Sequence, residues 1–262
     1  FHLSKKFKTN HKKENLIVSY FCHYDKEFNK KNIFFSDHWK GLENILEKNF
    51  FYLNFFIASK EYKNYQILKK DIKGKIKNLK DQNFLDNYLT FKDLVRIIVL
   101  SFFYSWKFSF IFFILKIKKK PEIEFLELTY KIQKRSFSGI TCYENLRIFY
   151  SLKNFFYSNP NIKKCIYLME NHSWEKILLK FCYFNKIKTY GYIHATMPFW
   201  HLNYYQPDNL NLKNRNLPNK ILTISKLNLR LLKNQKINKE KLILVEALRY
   251  NWLNTFKKKK FL

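Results

Sequence analysis

One β-α-β unit limits the fold of this chain more than any other feature. Cys165 to Met169 is a short apolar run that reads as a buried strand. Glu170, Asn171 and His172 fall where that strand ends, and Ser173 is placed to cap the helix that follows. Trp174, Ile177, Leu178, Phe181 and Cys182 recur at i, i+3, i+4, i+7 and i+8, which is one face of an amphipathic helix. Thr189 to Ile193 is the next strand and delivers His194 at its end. Such units build parallel sheets with right-handed crossovers. Ligands of those sheets collect outside the carboxyl ends of the strands, the edge from which Glu170, His172 and His194 project. Each residue alone also reads as an ordinary loop polar; three at one rim single the rim out.

The same alternation recurs along the chain. Leu16 to Phe21 reads as a strand, Ser36 as the cap of a helix with Trp39, Leu42, Ile45 and Leu46 on its apolar side, and Phe50 to Ala58 as a strand covered on both faces. Residues 60–93 read as helix and loop, 94–117 as helix, and Tyr143 to Phe156 as a further helix. The prolines and asparagines of 201–219 mark a linker or a long active-site loop. Strands at Lys220 to Ile224 and Lys241 to Val245 then restart the pattern. The expected organisation is a basic extension over 1–14, an α/β domain over 15–217 with a mainly parallel, doubly wound sheet, and a second α/β domain opening at 218. The roughly 45 residues from there are too few for a whole domain, so the chain is expected to be truncated.

The net charge of +30 invites a nucleic-acid reading. Only six of the 50 basic residues are arginine, however, the residue that reads phosphate planes and base edges best. Lys, Asn, Phe, Ile and Tyr are all abundant, as a chain encoded by AT-rich codons would show. Nucleic acid is therefore the minority expectation; the basic surface also suits contact with anionic lipid or the handling of acidic substrates. Ile97 to Leu115 is mostly Ile, Val, Leu and Phe, with Lys107 inside it and Lys116 to Lys120 after it. A membrane span and a buried or interfacial helix pair both fit that pattern. Cys22, Cys142, Cys165 and Cys182 form no Cys-x-x-Cys pair and read as reduced core thiols, which suits a cytoplasmic location.

Much chemistry is missing. The four glycines (Gly41, Gly74, Gly139 and Gly191) make no dinucleotide fingerprint and no Walker loop. Neither His-Glu-x-x-His nor Gly-x-Ser-x-Gly occurs, and no cysteine or acid stands at ligand spacing from His194 and His201, so no metal and no cofactor is expected. Acid-base and oxyanion chemistry remains. Glu170, beside a helix amino terminus, is the candidate base, and His194 is suited to meet phosphate or to shuttle a proton. Trp174, Phe199, Trp200, Tyr204 and Tyr205 either stack on sugar rings or pack in the core.

Three stretches carry a family likeness: Glu170-Asn-His-Ser-Trp-Glu175, Gly191-Tyr-Ile-His-Ala-Thr196 and Phe199-Trp-His-Leu-Asn-Tyr204. Together they resemble bacterial surface carbohydrate biosynthesis proteins, the glycosyltransferase-like products of O-antigen and capsule loci with a GT-B architecture. His172 stands where that family has Gln, and Met197-Pro198 and Asn203 where it has basic residues. Ser19-Tyr-Phe21, Asp37 to Leu42, and Leu217 to Tyr250 are similar too. The resemblance implies transfer of a sugar from a nucleotide-activated donor, the substrate, to a glycan or lipid-linked acceptor at the inner face of the membrane. The expected site is Glu170 and His194 facing one cleft, with Asn171, His172, Glu175, Thr196 and Trp200 around them and Arg249 entering from the second domain. An epimerase of nucleotide sugars on the same scaffold, and a non-catalytic basic protein of membrane surfaces or nucleic acid, are the alternatives.

Overall fold

The computed structural model describes residues 13–20, 39, 42, 49–56, 82–117, 130, 134, 136–195, 217–235 and 237–247. Two compact units emerge. Residues 87–157 belong to one, and the chain from 9 to 86 together with 158–262 belongs to the other.

The second unit is built on a seven-stranded, all-parallel sheet. Its strands are β1 (Asn15–Tyr20), β2 (Phe50–Phe55), β3 (Gln82–Phe84), β4 (Lys164–Leu168), β5 (Lys188–Ile193), β6 (Lys220–Thr223) and β7 (Leu242–Leu244), in the order β3-β2-β1-β4-β5-β6-β7. Winding runs outward from β1 to β3, returns to β4 on the other side of β1, and continues to β7. This is the doubly wound α/β pattern expected from the sequence. Strand β2 shows why its sequence is a nearly unbroken apolar run, since all six of its residues are buried. Side chains alternate between sheet faces, and both faces are covered. Tyr167 of β4 meets Trp174 of the helix α3 (Ser173–Phe184), their ring centroids 6.0 Å apart. Tyr192 of β5, opposite Leu168, meets Trp39 from the β1–β2 connection at 5.4 Å.

Four expectations change. Residues 82–84 are a strand, whereas the sequence suggested helix and loop over 60–93. The polar Gln82-Asn83 pair disguised it; both are buried, and Asn54 Nδ2 donates to Gln82 Oε1 at 2.7 Å inside the sheet. The restart near Pro218 continues the first sheet instead of opening another. Strand β6 pairs with β5 (Tyr190 opposite Lys220) and β7 pairs with β6. Asn219 fixes the junction, its Oδ1 accepting from the Thr189 N–H and hydroxyl while its own N–H donates to Thr189 Oγ1. The long connection before β6 is thus a crossover, which parallel strands require. Glu14, assigned to the basic extension, is tied down by its N–H bond to Asn49 Oδ1 and its ion pair with Lys163. Finally, α3 begins at Ser173 with His172 as its cap residue, one position earlier than expected. Ser225 does cap α4 (Lys226–Asn234), accepting from the Leu227 and Asn228 N–H groups. Of the helix expected after Ser36, only Trp39 and Leu42 lie within the described residues.

The other unit holds α1 (Phe91–Ile117) and α2 (Gly139–Ser158). Thr90 and Asp93 cap α1 reciprocally: the Asp93 N–H donates to Thr90 Oγ1, and the Thr90 N–H donates to Asp93 Oδ2. Asn154 of α2 locks that start in place, its Nδ2 donating to Tyr88 O and Asp93 Oδ2, each at 2.8 Å. Helix α2 buries Ile148, Leu152, Phe155 and Phe156 on one stripe. Helix α1 does not behave as the core helix that its sequence allowed. By length and composition it could cross a membrane, yet only 6% of its most apolar stretch is buried.

Candidate functional site

The order of strands reverses between β1 and β4, and crevices at such reversals are where open parallel sheets bind ligands. The carboxyl end of β1 carries Tyr20. The chain leaves β4 through Met169, whose N–H extends the ladder by donating to Tyr192 O. With Leu168 opposite Tyr192, two further residues on each strand bring Glu170 abreast of His194. Glu170 Oε1 lies 3.7 Å from His194 Nε2, and Glu170 Oε2 lies 3.2 Å from His172 Nε2. One carboxylate therefore stands between two imidazoles. His172 is the outermost at 54% exposure, Glu170 is at 31%, and His194 is the most enclosed at 14%.

The turn that presents Glu170 is shaped by two residues. Asn171 has φ of 67°, in the left-handed region that asparagine tolerates better than most residues. Its Nδ2, shielded from solvent, finds no partner among the described residues. Glu175 is 3% exposed and holds the turn from below, Oε1 accepting from the Glu170 N–H at 2.9 Å and the His172 N–H at 2.8 Å. Burial pushes the Glu175 carboxyl above the ordinary glutamate range. The backbone N–H groups of His172, Glu170 and Asn171 and the nearby His172 side chain oppose that rise without cancelling it. Glu175, placed by the sequence among substrate-binding residues, is buried under the turn and positions it.

Beneath the carboxylate lies an aromatic floor. Trp174 Nε1 donates to the Tyr20 hydroxyl at 2.8 Å, and the Trp174 ring centroid is 4.6 Å from that of Phe55. The Tyr20 ring meets His172 edge-on at 6.4 Å. At 6% exposure Trp174 is a core residue, so packing and not sugar stacking is its role. On the β5 side, the buried Asn228 of α4 donates from Nδ2 to Ala195 O at 2.8 Å and anchors the backbone just past His194.

The structure thus brings Glu170, Asn171, His172, Glu175 and His194 together. Thr196, Trp200 and Arg249 lie outside the described residues. Sequence reasoning missed Tyr20 and Asn228 as parts of this rim. Tyr20 carried one usable signal, its place at the end of a strand; that β1 neighbours β4 is knowable only from the pairing. Among the described residues no group of three His, Cys, Asp or Glu is arranged to hold a metal ion. The thiols of Cys165 and Cys182 are buried away from the rim, and burial with the Cys165 contact pushes Cys182 well above the usual thiol range. No protein-family model, no curated protein and no solved structure matches this chain.

Proposed function

We propose that this chain is the α/β domain of a glycosyltransferase of surface polysaccharide assembly, acting on a nucleotide-activated sugar and a glycan or lipid-linked acceptor at the inner face of the membrane. The observation that carries the reading is the Glu170 carboxylate set between His172 and His194 at the reversal of a parallel sheet. Glu170 takes the proton of an acceptor hydroxyl, and an adjacent imidazole relays it. His194, held at the end of β5, donates to the phosphate on which charge builds as the sugar leaves. The Asn171 amide is a further donor at the same rim. Thr196, Trp200 and Arg249 complete the proposed contacts. No cofactor is invoked, the nucleotide sugar being a substrate.

The test is a screen of nucleoside-diphosphate sugars against the protein, reading binding by ligand-observed magnetic resonance and transfer by release of nucleoside diphosphate with acceptor lipid or glycan. Binding of a nucleotide sugar that His194→Ala abolishes, with turnover lowered about 100-fold or more, is the expected result. Conversion of the nucleotide sugar into its epimer, with no nucleotide released and no acceptor product, would identify an epimerase. Binding confined to DNA or heparin, with a steep salt dependence, would replace both enzymatic readings.

A further inference from the structure

We infer that α1 lies in the interface of an anionic bilayer as a monotopic anchor, embedded from one side without crossing. This stands apart from the chemistry at Glu170 and rests on the other unit of the chain. A helix that is apolar on every side is normally buried in a core or in lipid. Here Phe102 is 72% exposed, Trp106 63%, Val99 61% and Phe113 59%. At 100° per residue, the exposed positions from Ile98 to Ile114 sweep roughly two-thirds of the helix circumference. The remaining side is the one the chain itself covers: Phe108 stacks on Tyr130 and Phe137, and Phe112 stacks on Tyr130 at 3.7 Å. An apolar surface this wide marks a protein or membrane interaction site.

Shape and charge choose the lipid. A second copy of the chain would bury a narrow seam, as paired helices do, and would leave much of this arc wet. It would also trap Lys107, which lies inside the arc with its Nζ 5.9 Å from the Phe103 ring centroid. At a bilayer the same long side chain reaches up to the headgroups. Lys116, Lys118, Lys119 and Lys120 follow the apolar stretch in a chain of net charge +30, the complement of an anionic surface.

Topology excludes a crossing. The chain leaves the sheet after β3 and rejoins it at β4, and the two strands are joined through β2 and β1 in one sheet. One crossing would put β3 and β4 on opposite sides of the membrane. A second crossing helix would have to return the chain, and α1 alone among the described helices is long and apolar enough. The intervening residues 118–129 carry Lys118, Lys119, Lys120, Glu122, Glu124 and Glu127, too polar for a span. Helix α1 must therefore enter and leave by the same face.

Flotation of the protein with phosphatidylcholine vesicles, with and without phosphatidylglycerol, tests this. Binding should be strong with the anionic lipid and weaken in high salt. A Phe102→Ser, Trp106→Ser double variant should partition about 100-fold more weakly or worse, its circular dichroism and thermal transition confirming that it folds. Tryptophan emission of the unaltered protein should be quenched by lipids brominated on the acyl chain, and quenching should fall in a Trp106→Phe variant. A cysteine placed after Lys120 should react with an impermeant maleimide from the same side as one placed before Phe91. Absence of vesicle binding, a dimer dispersed by the double variant, or labelling of the two cysteines from opposite sides would each overturn the proposal.

Discussion

Glu170 Oε1 and His194 Nε2 stand 3.7 Å apart although 24 positions separate them, because β4 and β5 pair in parallel and end together. The contact is partly solvated, so it adds little to stability: partly exposed pairs contribute well under about 1 kcal/mol. Glu170→Gln keeps the shape of the side chain and removes its charge. Its free energy of unfolding in urea should stay within about 1 kcal/mol of the parent, while any transfer activity at the rim should fall by about 100-fold or more. A large loss of stability, or full activity, would make Glu170 a structural residue.

Glu175 should show the opposite profile. Its folded carboxyl titrates above the ordinary glutamate value, with burial the leading cause. The protonated form is thus favoured by folding, and the contribution of Glu175 to stability is greatest below the unfolded value. That contribution declines as pH rises through the raised folded value. Glu175→Gln cannot ionise and still offers an acceptor oxygen to the turn. The free energy of unfolding, measured from acidic to neutral pH, should therefore decline less with rising pH in the variant. Glu175→Ala leaves the Glu170 and His172 N–H groups without their acceptor and should cost about 1–3 kcal/mol.

Asn171 is defined by backbone conformation. At φ of 67° a β-branched side chain is strained. Asn171→Gly should be nearly neutral, whereas Asn171→Val should cost about 1–2 kcal/mol. The two melting temperatures, measured side by side, decide it; equal values would show that the turn relaxes out of the left-handed region.

The strands were most legible where the chain is apolar on consecutive positions. Phe50 to Phe55, and Cys165, Tyr167 and Leu168, are buried in the sheet and declare it. Gln82-Asn83 did not, because Asn54 of β2, which donates to the Gln82 side-chain oxygen, is distant in sequence. Glu170 and His194 were legible as a pair, since each ends a strand of one β-α-β unit. Tyr20 and Asn228 were not, because strand order and the docking of α4 on the Ala195 carbonyl are long-range facts. The restart at Pro218 misled for the same reason: a crossover and a linker share a composition of Pro and Asn, and only the pairing of Tyr190 with Lys220 separates them. Helix α1 was legible as apolar, but its exposure was not, because hydropathy carries no record of what covers a side chain.

Gly191 links the sheet to the rim through packing. A Cβ built there would lie 2.7 Å from Met169 Sδ, 3.0 Å from Pro218 Cγ and 3.3 Å from Met169 Cβ. The thioether end can swing aside, but the Met169 Cβ and the Pro218 ring belong to the strand exit of β4 and the approach to β6, which are less free to yield. Gly191→Ala should accordingly cost about 1–3 kcal/mol through overpacking. The strain should also push the Met169 backbone, and with it Glu170 next in sequence, away from β5. Two readouts follow: a lowered unfolding midpoint, and altered ¹H–¹⁵N shifts at Glu170, Asn171 and His172 in the folded protein. Met169→Ala and Gly191→Ala should be non-additive, the double variant losing less stability than the two single variants summed. A Gly191→Ala protein with unchanged stability and unchanged rim shifts would show that the close approach of Gly191 to Met169 does not govern where Glu170 stands.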